Sequence, residues 1–369
     1  MKRIVKRVAL GLVAAIAAVL VAFGILYASR IQTISSIDQV TSYDDGYNLY
    51  TMDVAYDYDL DALLARDIRD NQAFLDAVLA ESLPLLPVHM TAPNYACTAF
   101  TATAANGEVR MGRNYDFKLD TSALLVRCTP KDGYASIGLA ALNNVKADDP
   151  NASVSKKLAC LTAPFICLDG INEKGVSIAV LTLDSEPTYQ DTGKQSIATT
   201  LAIRLVLDRA ATTEEAVELL SNYDMFATSG RDYHFYITDA SGDGRVVEWD
   251  PEAEGRPLKA TPMRAITNFY ALYPDLVQPN QKNGIYGHGK ERWEAVEEVL
   301  GAHEGDQGED VVWEALRASA QDPNPEDVTS NTQWSAIYDN TGLTLEVCLR
   351  RNWNDVSEFS INLAHFRPN

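Results

Sequence analysis

Histidine is scarce in this sequence. The five present, His89, His234, His288, His303 and His365, are scattered without the spacing of metal ligands, so no metal is assigned. Positive charge is scarce as well, with 31 basic residues against 51 acidic ones and a formal charge of −20. Lys2, Arg3, Lys6, Arg7 and Arg30 fall in the first 30 positions, where no acidic residue occurs. The remainder therefore carries 51 acidic against 26 basic residues. A surface of that sign repels phosphates and anionic headgroups, which excludes nucleic acid as a partner of the main body. A nucleotide-binding glycine loop is missing: Gly284, Gly287 and Gly289 surround His288 without the required preceding strand, and no cofactor is expected. Two stretches imitate calcium loops and fail. The one that starts at Asp57, Asp59 and Asp61 has Ala62 and Ile68 where Gly and Glu are needed, and the one from Asp239 to Asp250 is flanked by strand patterns. No internal repeat or low-complexity tract is present. Cysteines number five (Cys97, Cys128, Cys160, Cys167 and Cys348), an odd count that leaves at least one thiol unpaired. Cys160 and Cys167 could pair; the four other than Cys97 read as small core hydrophobes.

What is present begins with an uncharged apolar run of 21 residues from Val8 to Ala28. At about 1.5 Å per residue, a helix of that length just crosses a hydrocarbon core of roughly 30 Å. Its basic flank favours the cytoplasm, which sends everything after Arg30 outside the plasma membrane. A cleaved signal peptide is the rival reading, but its apolar region is usually shorter and no A-x-A site follows. The sequence thus predicts a membrane anchor over 1–30, a stalk and helical segment over 31–96, and a main domain over 97–369.

Residues 31 to about 58 are polar and tyrosine-rich, and read as a solvated linker with one strand. From Leu60 to Leu86 apolar residues recur at helical spacing, giving one or two amphipathic helices. Pro87, Pro93 and Asn94 then make a loop before Cys97. Beyond it, Thr98–Thr103 and Val109–Gly112 form a hairpin around Asn106-Gly107. Leu124–Cys128, Ala135–Leu139 and Val176–Leu183 read as strands, and 197–209 as a helix. Thr212 and Glu215 fit a capping box that opens the next helix. Tyr233–Thr238 and Arg245–Trp249 make a second hairpin, and Arg264–Asn268 a short strand. Lys290–Leu300 and Asp310–Ala318 are helices, followed by strands at Thr332–Tyr338, Leu343–Leu349 and Phe359–Leu363. Strands, helices and strands again suggest sheets covered by helices on their outer faces, an α+β fold.

A cysteine whose nitrogen becomes the chain terminus carries its own base, because an α-amine titrates near neutrality and sits beside the sulfur. Such a site also needs a cation to favour thiolate, a carboxylate to orient the amine, and donors for the oxyanion. Ala96-Cys97-Thr98-Ala99-Phe100, then Gly112-Arg113-Asn114-Tyr115-Asp116-Phe117, supply the first of these groups, and the hairpin returns Arg113 and Asp116 beside Cys97. In isolation each has a bland reading: Cys97 as core, Arg113 and Asp116 as a surface ion pair, Asn268 as a turn residue, Arg292 as a solvated helix start.

Together the segments resemble the choloylglycine hydrolase family, the linear-amide branch of the N-terminal-nucleophile (Ntn) hydrolases. That family includes bile-salt hydrolases, penicillin V acylases and, more distantly, acid ceramidase and N-acylethanolamine amidase. Asp169-Gly170-Ile171-Asn172-Glu173-Lys174-Gly175, Tyr236–Asp239 with Val246–Glu248, Ile266-Thr267-Asn268 and Glu291-Arg292-Trp293 follow in the family's order, so the similarity runs to about Cys348. The resemblance implies a four-layer αββα sandwich and a small-molecule N-acyl amide substrate. It implies Cys97 as nucleophile, Arg113 tuning the thiolate, Asp116 orienting the amine, Asn268 as oxyanion donor and Arg292 holding the charge network. A second donor is expected at Thr182, through its main-chain N–H, where the family usually has Asn or Tyr. Here 96 residues must be cut away, as in the ceramidase-like members, which cut themselves and keep the released piece. Two other readings stand beside this one: a conventional cysteine peptidase, although no C-G-S-C-W signature surrounds Cys97, and a non-catalytic surface binding protein. A homo-oligomer is compatible with all three.

Overall fold

Two antiparallel-rich sheets lie face to face in this chain. A computed structural model describes residues 21, 24, 26–84, 96–282, 284–324, 326–327 and 330–361, with only the backbone for Ala96. Among the described residues the smaller sheet has six strands, in the order Ala265–Ile266, Ala96–Thr103, Val109–Asp116, Thr332–Asp339, Thr344–Leu349, Val356–Ser360. The larger has nine among the described residues: Asp38–Gln39, Leu49–Val54, Ala123–Cys128, Ser136–Ala141, Asp169–Asn172, Ser177–Leu183, Asp232–Thr238, Arg245–Trp249, Leu258–Pro262. Strand Ala96–Thr103 packs on Ser177–Leu183 and Asp232–Thr238 across the interface.

Period-two alternation decides which side chains enter that interface. Cys97 lies opposite Tyr115, and Ala99 opposite Arg113. This set points at the larger sheet, where Arg113 finds its partners. Phe100 and Gly112 take the other face, where Phe100, Ile337 and Cys348 pack under Val296, Leu300, Val312 and Leu316 of helices Lys290–Ala302 and Glu309–Ser319. Behind the larger sheet, helix Thr199–Arg209 covers Asp169–Asn172 and Ser177–Leu183. It is buried from Thr199 to Asp208.

Several elements differ from the sequence reading. The tyrosine-rich stretch is no solvated linker: Leu49–Val54 pairs in parallel with Ala123–Cys128, and Tyr50, Tyr56 and Tyr58 are buried. A parallel partner over 70 residues away leaves no hairpin signal to read. The helical stretch after Leu60 agrees with the sequence reading of one or two helices: it is Leu60–Leu64 and Asn71–Ser82, each capped by an aspartate side chain. Residues 197 and 198 belong to a short strand, Gln195–Ala198, parallel to Tyr223–Phe226. The strand expected at Arg264–Asn268 splits, with Ala265–Ile266 in the smaller sheet and Asn268–Phe269 paired to Gly287–His288. The last strand is Val356–Ser360, and Leu363 lies outside the described residues. Cys160 and Cys167 are unpaired and bond different carbonyls, those of Lys156 and Ala163.

The loop at Pro87, Pro93 and Asn94, and most of Val8–Ala28, also lie outside the described residues. Among the described residues no helix is long and apolar enough to cross a membrane. Residues 26–35 are helical. Tyr27 bonds the Pro84 carbonyl, and Arg30 the carbonyls of Glu81 at 2.6 Å and Ser82 at 2.8 Å.

Candidate active site

Cys97 is the second residue of its strand, wholly buried, and its main chain is held at both ends. Its N–H donates to Asn268 Oδ1 at 3.0 Å. Its carbonyl accepts from Arg292 Nη1 at 2.9 Å. The reason is the split strand. Ala265 and Ile266 pair with Phe100 and Ala99, so continuing the ladder would bring Asn268 opposite Cys97. The backbone turns away there, and the Asn268 side chain takes the vacated hydrogen-bonding edge.

Arg292 Nη2 also donates to Asn268 Oδ1, at 2.7 Å, and Arg292 Nη1 to Thr98 Oγ1 at 3.0 Å. With two donors on Oδ1, the Asn268 amide has one orientation. Its Nδ2 donates to the Thr182 carbonyl at 2.8 Å. A residue's N–H and C=O point the same way in an antiparallel strand. Two residues earlier, Val180 shows that edge in use: its N–H donates to Leu168 and its carbonyl accepts from Arg113 Nη2, both at 2.9 Å. The Thr182 N–H therefore faces the Asn268 amide together with the Thr182 carbonyl. The Thr182 hydroxyl oxygen is buried and has no hydrogen-bond partner among the described residues.

Arg113 crosses between the sheets with no exposure. Nε pairs with Asp169 Oδ2 at 3.1 Å, and the guanidinium faces the Cys97 thiol. Asp169 also accepts from Trp334 Nε1 at 3.3 Å and from the Tyr338 hydroxyl. A buried ion pair is tolerated when its remaining lone pairs and protons are satisfied, as here. Burial works to lower the Arg113 pKa, but Cys97 and Asp169 outweigh it and hold the group above its ordinary range. Burial pushes the Cys97 thiol up to about 12, with Arg113 opposing.

Asp116 sits on the opposite face, paired in register with Ala96. Its Oδ2 is 3.5 Å from Arg292 Nη1, and its Oδ1 accepts from the Thr332 hydroxyl at 2.6 Å. Burial raises its pKa, opposed by Arg292 and Thr332. Burial lowers Arg292, opposed by Asp116.

The structure thus brings together all six residues singled out from the sequence: Cys97, Arg113, Asp116, Thr182, Asn268 and Arg292. Sequence reading missed Asp169 as the partner of Arg113, although it opens the Asp-Gly-Ile-Asn motif, and it missed Thr332. No group of three or more metal-binding side chains occurs among the described residues.

Comparison with known proteins follows this geometry. Residues 97–261 match the model of the linear amide C–N hydrolases, choloylglycine hydrolase family. Among solved structures, the chain is similar to two variants of conjugated bile acid hydrolase from Clostridium perfringens. Each is 17% identical with a TM-score of 0.55, over 74% of this chain and 95% or 94% of that one. It is also similar to penicillin V acylase from Agrobacterium tumefaciens, at 19% identity and a TM-score of 0.51, over 72% of this chain and 86% of that one.

Proposed function

From the premise that this chain is a hydrolase of the linear amide C–N family, choloylglycine hydrolase type, which residues 97–261 carry, we propose that it cuts N-acyl amides with Cys97 as an N-terminal nucleophile. The observation that carries this reading is the grip of Asn268 and Arg292 on the main-chain nitrogen and carbonyl of Cys97.

Maturation comes first. The Cys97 sulfur attacks the Ala96 carbonyl carbon, the C–N bond breaks, and the departing nitrogen takes the thiol proton to become the α-amine. Water then hydrolyses the thioester, leaving a carboxyl on Ala96 and restoring the thiol. In turnover, the amine takes the thiol proton and the sulfur attacks the substrate's acyl carbon. Asn268 Nδ2 and the Thr182 N–H meet the oxyanion. The amine protonates the leaving nitrogen, and water releases the acyl group. Asp116 accepts from the charged amine, and Arg113 favours the thiolate.

The same proposal covers organisation. Residues 31–84 stay bound after the cut, because they supply two strands of the larger sheet and the buried side chains Leu49, Met52, Leu63, Phe74 and Val78. Val8–Ala28 anchors the enzyme with its catalytic domain outside the plasma membrane, where a lipid-like N-acyl amide is within reach. The Ntn-type αββα arrangement is supported by helices Lys290–Ala302 and Glu309–Ser319 on the outer face of the smaller sheet and helix Thr199–Arg209 on that of the larger.

The test is expression of the full chain with and without Cys97→Ala, followed by intact mass and N-terminal sequencing. The reading expects a cut at Ala96–Cys97 in the wild type alone, and turnover of an N-acyl amide only by the cut form. An uncut wild type that turns over amides would remove the N-terminal amine from the mechanism.

A further inference from the structure

We propose that Thr332 is a positioning residue: its hydroxyl holds the Asp116 carboxylate in place for the Cys97 amine. This rests on the function proposed above and adds a residue to it. Thr332 is wholly buried, and its Oγ1 is 2.6 Å from Asp116 Oδ1. The direction of that bond is fixed by a third group. The Gln321 N–H donates to the same hydroxyl oxygen at 2.7 Å, while the Thr332 N–H donates back to the Gln321 carbonyl at 2.9 Å. With one lone pair so engaged, the hydroxyl proton is directed at Asp116.

A one-residue irregularity puts Thr332 there. Trp334 is opposite Tyr115, so an unbroken ladder would set Thr332 opposite Phe117 and on the face between the sheets. The register instead shifts between Thr332 and Trp334, leaving Gln333 unpaired and Thr332 opposite Asp116. Such bulges re-aim a side chain beside active sites. The Gln333 side chain satisfies the disturbed backbone, donating to the Phe117 carbonyl at 2.8 Å and accepting from the Thr121 N–H at 3.1 Å. Thr332 leaves Oδ2 of Asp116 to face Arg292, at the end of the ladder where Ala96, the residue before Cys97, lies in register with Asp116.

A hydrogen bond to a charged acceptor favours its ionised form. Burial raises that carboxyl, while Arg292, the Thr332 hydroxyl, the Gln321 side chain and the Arg113 charge lower it; without the hydroxyl it rises further and protonates at higher pH. The test is the pH profile of kcat/KM for an N-acyl p-nitroanilide with the mature full-length enzyme, wild type, Thr332→Val, Thr332→Ala and Thr332→Ser. The acid limb is expected to move up by about one pH unit in the Val and Ala variants and to return in the Ser variant. In an Asp116→Asn background, Thr332→Val should cost less than about twofold more, since its route is already closed. An unmoved limb in a folded hydroxyl-less variant, or an equal loss in both backgrounds, overturns the proposal. So does a result in which Val and Ala fail to fold and Ser folds, which assigns the hydroxyl to folding. If the wild type is cut but hydrolyses no amide, the proposed substrate class fails alone, and the pH dependence of cutting is read in the same variants. A wild type that is neither cut nor active sinks both.

Discussion

The Tyr58 hydroxyl lies 3.1 Å from both carboxylate oxygens of Asp208, and so ties the segment that precedes Cys97 to the helix behind the larger sheet. Asp208 pairs with Arg204 at 2.6 Å, and Arg204 donates to Ser136 Oγ at 2.5 Å. All four side chains are buried. Removing one donor to a satisfied carboxylate costs little; removing the carboxylate strands a buried guanidinium. Tyr58→Phe is therefore expected to lower unfolding free energy by about 1–2 kcal/mol and Asp208→Ala by about 3–5 kcal/mol. Urea unfolding of the uncut Cys97→Ala chain checks the order. Size-exclusion of the cut wild type should show both pieces eluting together, and a separated small piece would end the retained-subunit reading.

Two glycines explain how the clamp on Cys97 fits. Gly289 has φ +83°, and a Cβ there would lie 2.4 Å from Arg292 Nη2; a Cβ on Gly287, at φ +109°, would lie 2.1 Å from the Asn268 carbonyl oxygen. Gly289→Ala should therefore push Arg292 off the Cys97 carbonyl and add backbone strain of about 1–2 kcal/mol. Self-cutting and amide turnover are both expected to fall at least about tenfold, for a free-energy change near 1.4 kcal/mol or more. Retention of full rate, measured by mass spectrometry of the cut and by turnover, would show that the Arg292 contacts are dispensable.

How much of this was legible beforehand follows from which interactions are local. The hairpin that carries Cys97, Arg113 and Asp116 was readable, because Asn106-Gly107 and period-two alternation fix its register within 20 residues. The helix after Thr212 was readable too: Glu215 N–H donates to the Thr212 hydroxyl at 3.1 Å. Asn268, Arg292 and Thr182 came from motif order rather than from any local rule. What stayed hidden is what long-range pairing decides. The Leu49–Val54 strand has its partner at Ala123–Cys128, and its tyrosines look solvated until the sheet closes over them. The Thr332 bulge is set by pairing three residues, Thr332 to Trp334, against two, Asp116 and Tyr115, for which the chain near Gln333 carries no local signal. Asp169 was visible in a motif, but its charge partner lies across two sheets.

The role proposed for Thr182 rests on its main-chain N–H, and Thr182→Val separates that from its hydroxyl. The hydroxyl oxygen is buried with no partner among the described residues, so replacing it by a methyl of similar shape removes an unsatisfied polar group. Stability should stay level or rise by up to about 1 kcal/mol. The main-chain N–H is unchanged, so kcat should remain within about threefold of wild type. A fall of a hundredfold, measured at saturating N-acyl amide, would move the oxyanion contact from the backbone to the hydroxyl.

His288 separates the proposed mechanism from a Cys–His peptidase. It pairs in register with Asn268, its Nε2 is 3.2 Å from Asp184 Oδ2, and Asp184 is engaged by Arg231 at 2.9 Å. Burial, with the Arg292 and Arg231 charges, pushes the imidazole down to about 3. An unfolded histidine titrates near 6.5. As pH falls from about 6.5 toward 3, the unfolded chain therefore takes a proton that the folded chain refuses. This group's contribution is complete above pH 6.5 and is lost at up to about 1.4 kcal/mol per pH unit below it. The difference in unfolding free energy between wild type and His288→Gln should narrow at that slope from pH 6.5 to pH 4, measured in urea. A neutral imidazole with no proton to exchange over the working range also leaves amide turnover at pH 7 within a few fold in His288→Gln. A flat difference would put His288 in an ordinary solvated state, and loss of turnover would give the proton-transfer role to an imidazole in place of the Cys97 amine.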